Sequence, residues 1–292
     1  MFYLIAVILL NVFLFTLFKL FPKYGVNNLQ AIVVNYWVCV VTGSLYLGHL
    51  PISAKSVEEP WWGWVLFLGV LFISMFNLLA YSTKKEGITT TIISNKLSLV
   101  IPVIISIVLY NESVTALKIV GVLLAIPGIY LTVKKKGERI GLSKSFVLPL
   151  SIFFLSGALD TIMKYMEHTY LSHASIQASF TIHIFFMAAM LGSVAVVYNV
   201  VTGRTKLSYK NVLAGIVLGV PNFFSIFYLV RLFNVDVLES SAIIPVNNIA
   251  ILLLSTIIAI IFFKEEFTKY RFVGILLSAL SILLIVLSNT YG

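Results

Sequence analysis

Residues 2–21 read FYLIAVILLNVFLFTLFKLF, a run in which only Lys19, near its end, is charged. Because an α-helix rises about 1.5 Å per residue, a run of this length spans the roughly 30 Å hydrocarbon core of a bilayer. Nine similar stretches follow, and the ten predicted segments are Phe2–Phe21, Gln30–Leu50, Trp61–Tyr81, Ile88–Tyr110, Leu117–Val133, Phe146–Glu167, Ile176–Val200, Val212–Leu232, Ala242–Phe263 and Phe272–Ser288. The pattern predicts an all-α integral membrane protein with ten transmembrane helices.

Composition excludes a water-soluble fold. Of the 292 residues, 60% are hydrophobic and 11% are charged, with a mean hydropathy of +1.04. Cys39 is the only cysteine, so an intrachain disulfide and a thiolate metal site are excluded. The net charge of +9 comes from basic residues dispersed over short loops, which membrane topology explains without a nucleic-acid partner. We expect no metal and no cofactor.

The loop charges predict an orientation. Most Lys and Arg residues fall in the connections that follow odd-numbered segments, such as Lys134–Lys144 and Arg204–Lys210. The positive-inside rule places these connections in the cytoplasm and both termini outside.

The two halves of the chain resemble each other. At an offset of 153 residues, Asn111–Leu124 aligns with Lys264–Leu277, and other corresponding residues keep the same order. The pairs matched at this offset include Glu112 with Glu265, Gly121 with Gly274, and Asn95 with Asn248. Near the start of each half, Lys19 corresponds to Lys164 at a slightly smaller offset. Each half holds five segments, an odd number, so the halves must enter the membrane in opposite directions. We therefore predict two inverted five-helix repeats, residues 1–138 and 139–292, an architecture typical of secondary transporters.

These features resemble the EamA-like family of the drug/metabolite transporter superfamily. In each half a loop Glu is followed nine residues later by a Gly that opens the next helix, and the run from Asn95 to Pro102 is similar to the fourth segment of such proteins. The resemblance implies a helical basket around a central cavity, in a cell membrane of the bacterial inner-membrane type. It also implies transport of amino acids, related metabolites or drugs. Members of the family have both termini in the cytoplasm, whereas the loop charges here indicate the reverse.

Charged residues inside the apolar segments are the first candidate site residues, because a charge in the hydrocarbon region costs about 2.5–3.5 kcal/mol or more. Lys96 lies about 12 Å along the fourth segment, near the midplane, and is a candidate anchor for a substrate carboxylate. The alternative is a structural lysine bonded to carbonyls or a carboxylate. Asp160 and Lys164 are four residues apart and can pair. The alternative to such a structural ion pair is that Asp160 exchanges a proton during transport. Lys164 would then be released from the pair to bind another group.

Amide side chains form a second group, since an amide both donates and accepts hydrogen bonds. Several of them are expected to line a shared cavity, although any single one is as well suited to bonding between helices. The candidates for substrate binding are Lys96, Asn95, Asn77, Asn222, Asn247, Asn248, Asn11 and Asn35. His183, in the seventh segment, is a further candidate proton carrier. Glu112 and Glu265 are expected to favour the starts of segments five and ten through the helix dipole.

These observations predict a secondary transporter of small metabolites, most plausibly amino acids, that works by alternating access. The alternatives are an exporter of cationic drugs, a membrane scaffold without transport activity, or an intramembrane hydrolase that pairs a serine with His183. No catalytic set or phosphate-binding loop supports an enzyme. We expect a small-molecule substrate and the lipid bilayer as partners, and a chain that can work as a monomer. Uniport, proton antiport and exchange remain open.

Overall fold

The computed structural model describes residues 2–110, 115–133, 144–171, 174–233 and 240–291, which are helical and contain no strand. The α-helices are α1 (Phe2–Leu20), α2 (Asn28–Leu47), α3 (Trp62–Lys85), α4 (Ile88–Leu97), α5 (Val100–Tyr110), α6 (Ala116–Val133), α7 (Lys144–Tyr170), α8 (Ala174–Val201), α9 (Tyr209–Phe233), α10 (Ser240–Phe263) and α11 (Lys269–Tyr291). Two short 3-10 helices, Phe21–Tyr24 and Ala54–Glu58, follow α1 and α2.

Eight spans of the described chain are long and apolar enough to cross a membrane. The fifth and ninth predicted segments correspond to two shorter apolar helices, Ala116–Thr132 and Asn247–Phe263. The prediction of an all-helical, multi-pass membrane protein is confirmed. The boundary that we predicted between the halves, at residues 138 and 139, lies outside the described residues.

The fourth predicted segment is two helices rather than one. α4 ends at Leu97 and α5 begins at Val100. Pro102 explains the break, because it has no N–H to donate to the Ser98 carbonyl, which accepts from the Ile101 N–H at 2.9 Å instead. The Ser98 hydroxyl donates to the Asn95 carbonyl at 2.5 Å. Within a membrane, such a break is tolerated where protein or a wet cavity supplies hydrogen-bond partners.

Glu265 caps a different helix from the one we predicted. Its Oε1 accepts the N–H of Ile88, the first residue of α4, at 2.7 Å rather than acting at the start of α11. Unpaired N–H groups at a helix start attract a carboxylate in either case. Thr268 serves α11 instead, because its hydroxyl accepts the Arg271 N–H at 3.2 Å. Glu112, the counterpart of Glu265, lies outside the described residues.

α6 and α11 pack closely through glycines, and their contact is reciprocal. A Cβ added at Gly121 would lie 2.7 Å from Cγ1 of Ile285 and 3.0 Å from the Ser281 carbonyl oxygen. A Cβ added at Gly274 would lie 2.8 Å from Cγ2 of Thr132 and 2.9 Å from the carbonyl oxygen of residue 128. The residues of the two contacts correspond at the repeat offset of 153. Gly121 corresponds to Gly274, Thr132 to Ile285, and residue 128 to Ser281.

Small residues also join the remaining helices across the halves. Gly219 of α9 packs against Val38 of α2, and Gly69 of α3 packs against Met187 of α8. Such positions let helix backbones approach closely in lipid, where the packing of side chains rather than exclusion of water drives association. α1 contacts α3, α9 and α10, while α4 contacts α6, α7 and α10. Helices of the first half are thereby interleaved with helices of the second half.

Candidate functional site

A cavity of about 180 Å³ lies between helices of the two halves. α1, α3 and α4 line it from the first half, and α7 and α9 line it from the second. Its polar lining residues are Asn11, Asn95, Ser156, Asp160, Asn222 and Ser225, and its apolar lining residues are Leu14, Phe15, Phe18, Phe72, Met75, Phe76, Leu79, Leu159 and Ile226. The predicted gathering of polar side chains around one cavity therefore holds for part of the predicted set.

Asp160 presents a carboxylate to this cavity. The Asp160 side chain is exposed, because it faces the cavity rather than packed side chains. The Ser98 hydroxyl, at the break between α4 and α5, lies 3.2 Å from Oδ2 of Asp160, and its one proton is shared between this oxygen and the Asn95 carbonyl. The helix break therefore supplies a hydrogen bond to the carboxylate at the centre of the protein.

Lys96 lies close to Asp160 but is not one of the cavity-lining residues. Its ammonium and the Asp160 carboxylate interact electrostatically, and the Lys96 side chain is half-buried. No ion pair within 4.0 Å joins these two described side chains, and the predicted partner Lys164 has its side chain outside the described part of the chain. The group accessible from the cavity is thus the acid rather than the base.

Three of the predicted amides line the cavity. Asn95 Nδ2 donates to the Ser156 hydroxyl at 2.9 Å, which joins α4 to α7. Asn11 Nδ2 donates to the Val7 carbonyl of its own helix at 2.9 Å. Asn222 is buried, and its Nδ2 donates to Oδ1 of Asn35 at 3.1 Å. Each amide is thereby oriented by a hydrogen bond to the protein.

The other predicted amides lie outside the cavity lining. Asn35 is buried behind Asn222, where its oxygen orients the Asn222 amide. Asn77 donates to the Ile73 carbonyl in α3 at 2.8 Å. Asn247 and Asn248 are buried in α10. Of these four amides, only Asn35 has a recorded side-chain hydrogen bond to a residue of the lining, Asn222.

His183 also lies away from the cavity. Its Nδ1 is 2.7 Å from the Ser179 carbonyl, which can only accept, so Nδ1 donates and Nε2 accepts from the Ser56 hydroxyl at 2.8 Å. The imidazole ring packs edge-on against Trp61. These contacts attach the connection between α2 and α3 to α8, and they occupy both ring nitrogens.

The aromatic lining contributed by α1 was missed, although the sequence carries a signal for it. Leu14, Phe15 and Phe18 follow Asn11 at intervals of three, four and seven residues, and Phe72, Met75, Phe76 and Leu79 repeat this pattern in α3. Such intervals place side chains on one helix face. The Tyr36 hydroxyl donates to the Phe72 carbonyl at 2.8 Å and holds α2 against the cavity wall.

Comparison with known proteins supports this architecture. The model of the EamA-like transporter family matches residues 2–134. An uncharacterized protein of Haemophilus influenzae is 27% identical over 285 residues, which are 94% of each chain. A solved crystal structure superposes with a TM-score of 0.62 over 98% of each chain at 13% identity, so the fold is shared. The first part of the chain, residues 2–134, is therefore similar to the EamA-like transporter family.

Proposed function

We propose that the protein is a secondary transporter of small metabolites that carry a protonated amine, with amino acids as the leading class. The observation that carries this proposal is the Asp160 carboxylate, exposed to a cavity that amides and aromatic rings line between the two halves. A carboxylate in such a site attracts an ammonium group, and charge-assisted hydrogen bonds are the strongest that a protein offers. Ionisable groups inside membrane segments typically mark a substrate or ion pathway.

An amino acid satisfies the other groups of the cavity as well. Its ammonium would bind Asp160, while its carboxylate would accept hydrogen bonds from the amides of Asn11, Asn95 and Asn222. Lys96, behind Asp160, would add a favourable electrostatic field for the substrate carboxylate without contacting it. Phe15, Phe18, Phe72 and Phe76 would surround an apolar or aromatic side chain, and an ammonium above a ring face is itself stabilised.

The size of the cavity favours metabolites over drugs. The cavity has a volume of about 180 Å³. Pockets for drug-sized ligands occupy about 300–1,000 Å³. Export of cationic drugs is the second candidate function, because Asp160 would attract any cation.

The transport mechanism that we propose is alternating access through two inverted repeats. The reciprocal contacts of Gly121 and Gly274 support it, because two equivalent helices that cross antiparallel around a local two-fold axis make each contact twice. Rocking of the halves about this axis would expose the cavity to each face of the membrane in turn. Asp160 would then carry either the substrate ammonium or a proton on each half-cycle, which allows exchange as well as proton antiport.

Uptake into proteoliposomes tests the substrate class. We expect accumulation of one or more free amines from a panel of amino acids, aromatic monoamines, nucleosides and cationic drugs. The N-acetylated form of that amine should be transported at least about tenfold more slowly, because charged hydrogen bonds contribute about 1.5–3 kcal/mol. Parallel assays with and without a proton gradient distinguish antiport from exchange. Equal transport of free and acetylated forms would contradict a role for Asp160 in substrate binding, and absence of uptake across the panel would favour a scaffold.

Single-cysteine labelling tests the inverted repeat. The connection after α2 corresponds to the connection after α8, and each offers an exposed lysine, Lys55 and Lys206. In a Cys39→Ala background, we expect Lys55→Cys and Lys206→Cys to react with an impermeant maleimide from opposite faces of the membrane. Reaction of both variants from the same face would contradict the inverted repeat. The same measurement decides which face is cytoplasmic and hence where the termini lie.

A further inference from the structure

A second polar cluster lies at the ends of the cavity-lining helices. It comprises Lys19, Ile88, Glu265 and Arg271, and we call it the Glu265 cluster. Oε1 of Glu265 accepts the Ile88 N–H at 2.7 Å and lies 3.2 Å from Nζ of Lys19. Oε2 lies 3.5 Å from Nη1 of Arg271. One carboxylate, 7% exposed at its side chain, therefore binds two cations and the start of a helix.

The Glu265 cluster joins the two halves at one end of the cavity. Lys19 and Ile88 belong to α1 and α4 of the first half, whereas Glu265 and Arg271 belong to the second half. Lys19 also donates to the Thr83 carbonyl in α3 at 3.2 Å. α1 and α4 thus meet at this one carboxylate, and α3 is joined to it through Lys19.

Few residues separate the Glu265 cluster from the cavity. Phe18, which lines the cavity, immediately precedes Lys19, and Leu79 lies one turn before Thr83. A second cavity, of about 240 Å³, lies beyond the cluster at the ends of the helices, and its lining includes Lys19, Gly87, Thr90, Thr132, Glu265 and Arg271. The cluster therefore lines the outer cavity, and along α1 and α3 it lies within one helical turn of residues that line the central cavity. We call the membrane face on this side the basic face.

The backbone around Glu265 is shaped for this contact. Gly87 has φ +96°, and a Cβ there would lie 2.5 Å from Oε1 of Glu265, so only glycine lets the carboxylate reach the start of α4. Lys264, just before Glu265, has φ 51°, a left-handed conformation that is uncommon outside glycine. Strained residues of this kind persist where the surrounding contacts hold them, often at switch regions.

We propose that the Glu265 cluster is the gate that closes the central cavity to the basic face. The contacts of Glu265 hold α1 and α4 of the first half against the second half, and Lys19 extends this hold to α3. Release of Glu265 from Lys19 and Ile88 would join the central cavity to the outer one and open a path to the basic face. This inference rests on the proposed function, since a gate is needed only if the cavity serves transport.

Accessibility of a cavity residue tests the gate without requiring transport. A single cysteine at Leu159→Cys, in the Cys39→Ala background, reports entry of an impermeant thiol reagent from either face of oriented vesicles. We expect Glu265→Gln, which removes the ion pairs, to raise the labelling rate from the basic face about tenfold without raising it from the opposite face. Glu266→Gln is the matched control, because it removes a charge one residue away while the contacts of Glu265 remain. It should leave both rates unchanged.

A second variant covers the case in which Glu265→Gln fails to fold. Lys19→Gln breaks the 3.2 Å ion pair from the other side and should also raise the labelling rate from the basic face. If neither folded variant changes labelling from the basic face, or if both raise it equally from the two faces, the gate is overturned. Because the labelling assay needs no substrate, its result can be interpreted even if the uptake screen finds no transported amine. The gate and the proposed transport function can therefore fail independently.

Discussion

Asp160→Asn is expected to lower amine uptake at least about a hundredfold. The substitution keeps the shape of the side chain and a hydrogen-bond acceptor for the Ser98 hydroxyl, which lies 3.2 Å from Oδ2. It removes the only carboxylate that lines the central cavity in the described residues, and with it the partner for the substrate ammonium. A bound cation that loses its counter-charge in a desolvated site costs about 3–5 kcal/mol, which corresponds to a factor of more than a hundred.

Uptake and binding should be measured together for Asp160→Asn. We expect the melting temperature of the detergent-solubilised variant to stay close to that of the unchanged protein, while the stabilisation by added amine disappears. Asp160→Glu keeps the charge and should retain a measurable part of the uptake. Asn77→Leu is the matched control, because Asn77 lies in α3 outside the cavity lining and donates to the carbonyl of its own helix. Unimpaired uptake by Asp160→Asn would remove Asp160 from the transport site.

Gly121→Leu and Gly274→Leu are expected to destabilise the fold by about 3 kcal/mol each, because forcing extra atoms into a close-packed contact typically costs about 1–3 kcal/mol or more. A Cβ at either position would lie about 3 Å from backbone atoms of the opposing helix, Ser281 O for Gly121 and Gly128 O for Gly274. Backbone atoms cannot move aside as the end of a flexible side chain can. The helices α6 and α11 should therefore separate or shift.

The two glycine variants should behave alike, because their contacts are equivalent under the repeat. Thermal unfolding in detergent measures this, with Gly63→Leu as the control, since a Cβ at Gly63 has no atom within 4 Å. We expect the control to unfold near the temperature of the unchanged protein and both other variants to unfold at clearly lower temperatures. A large effect for one glycine and none for its counterpart would contradict a shared local axis.

The apolar segments and the polar residues within them could be predicted from the sequence, because crossing a bilayer requires long apolar helices and makes each polar exception costly. Which polar residue faces the cavity depends on how each helix is rotated against its neighbours. Asn11 and Asn77 are similar residues in similar helices, and only Asn11 lines the cavity. Lys96 was the first candidate for the cavity, yet Asp160 lines it instead.

Contacts between residues far apart in the chain also could not be predicted from the sequence. Glu265 and Ile88 are 177 residues apart, and a loop carboxylate is most simply assigned to the nearest helix start. The electrostatic interaction of Lys96 with Asp160 likewise depends on α4 and α7 lying side by side. The aromatic face of α1 was accessible in principle, because Phe15 and Phe18 share a helix face with Asn11.

The most direct measurement is the labelling of Leu159→Cys from each face of the membrane, with and without an amine found to be transported. If a chamber around Asp160 opens to each face in turn, the cysteine will react from both faces, and saturating amine will slow both reactions. Reaction from one face only, while transport is active, would contradict an alternating chamber. Labelling rates that do not change when the amine is added would contradict it as well.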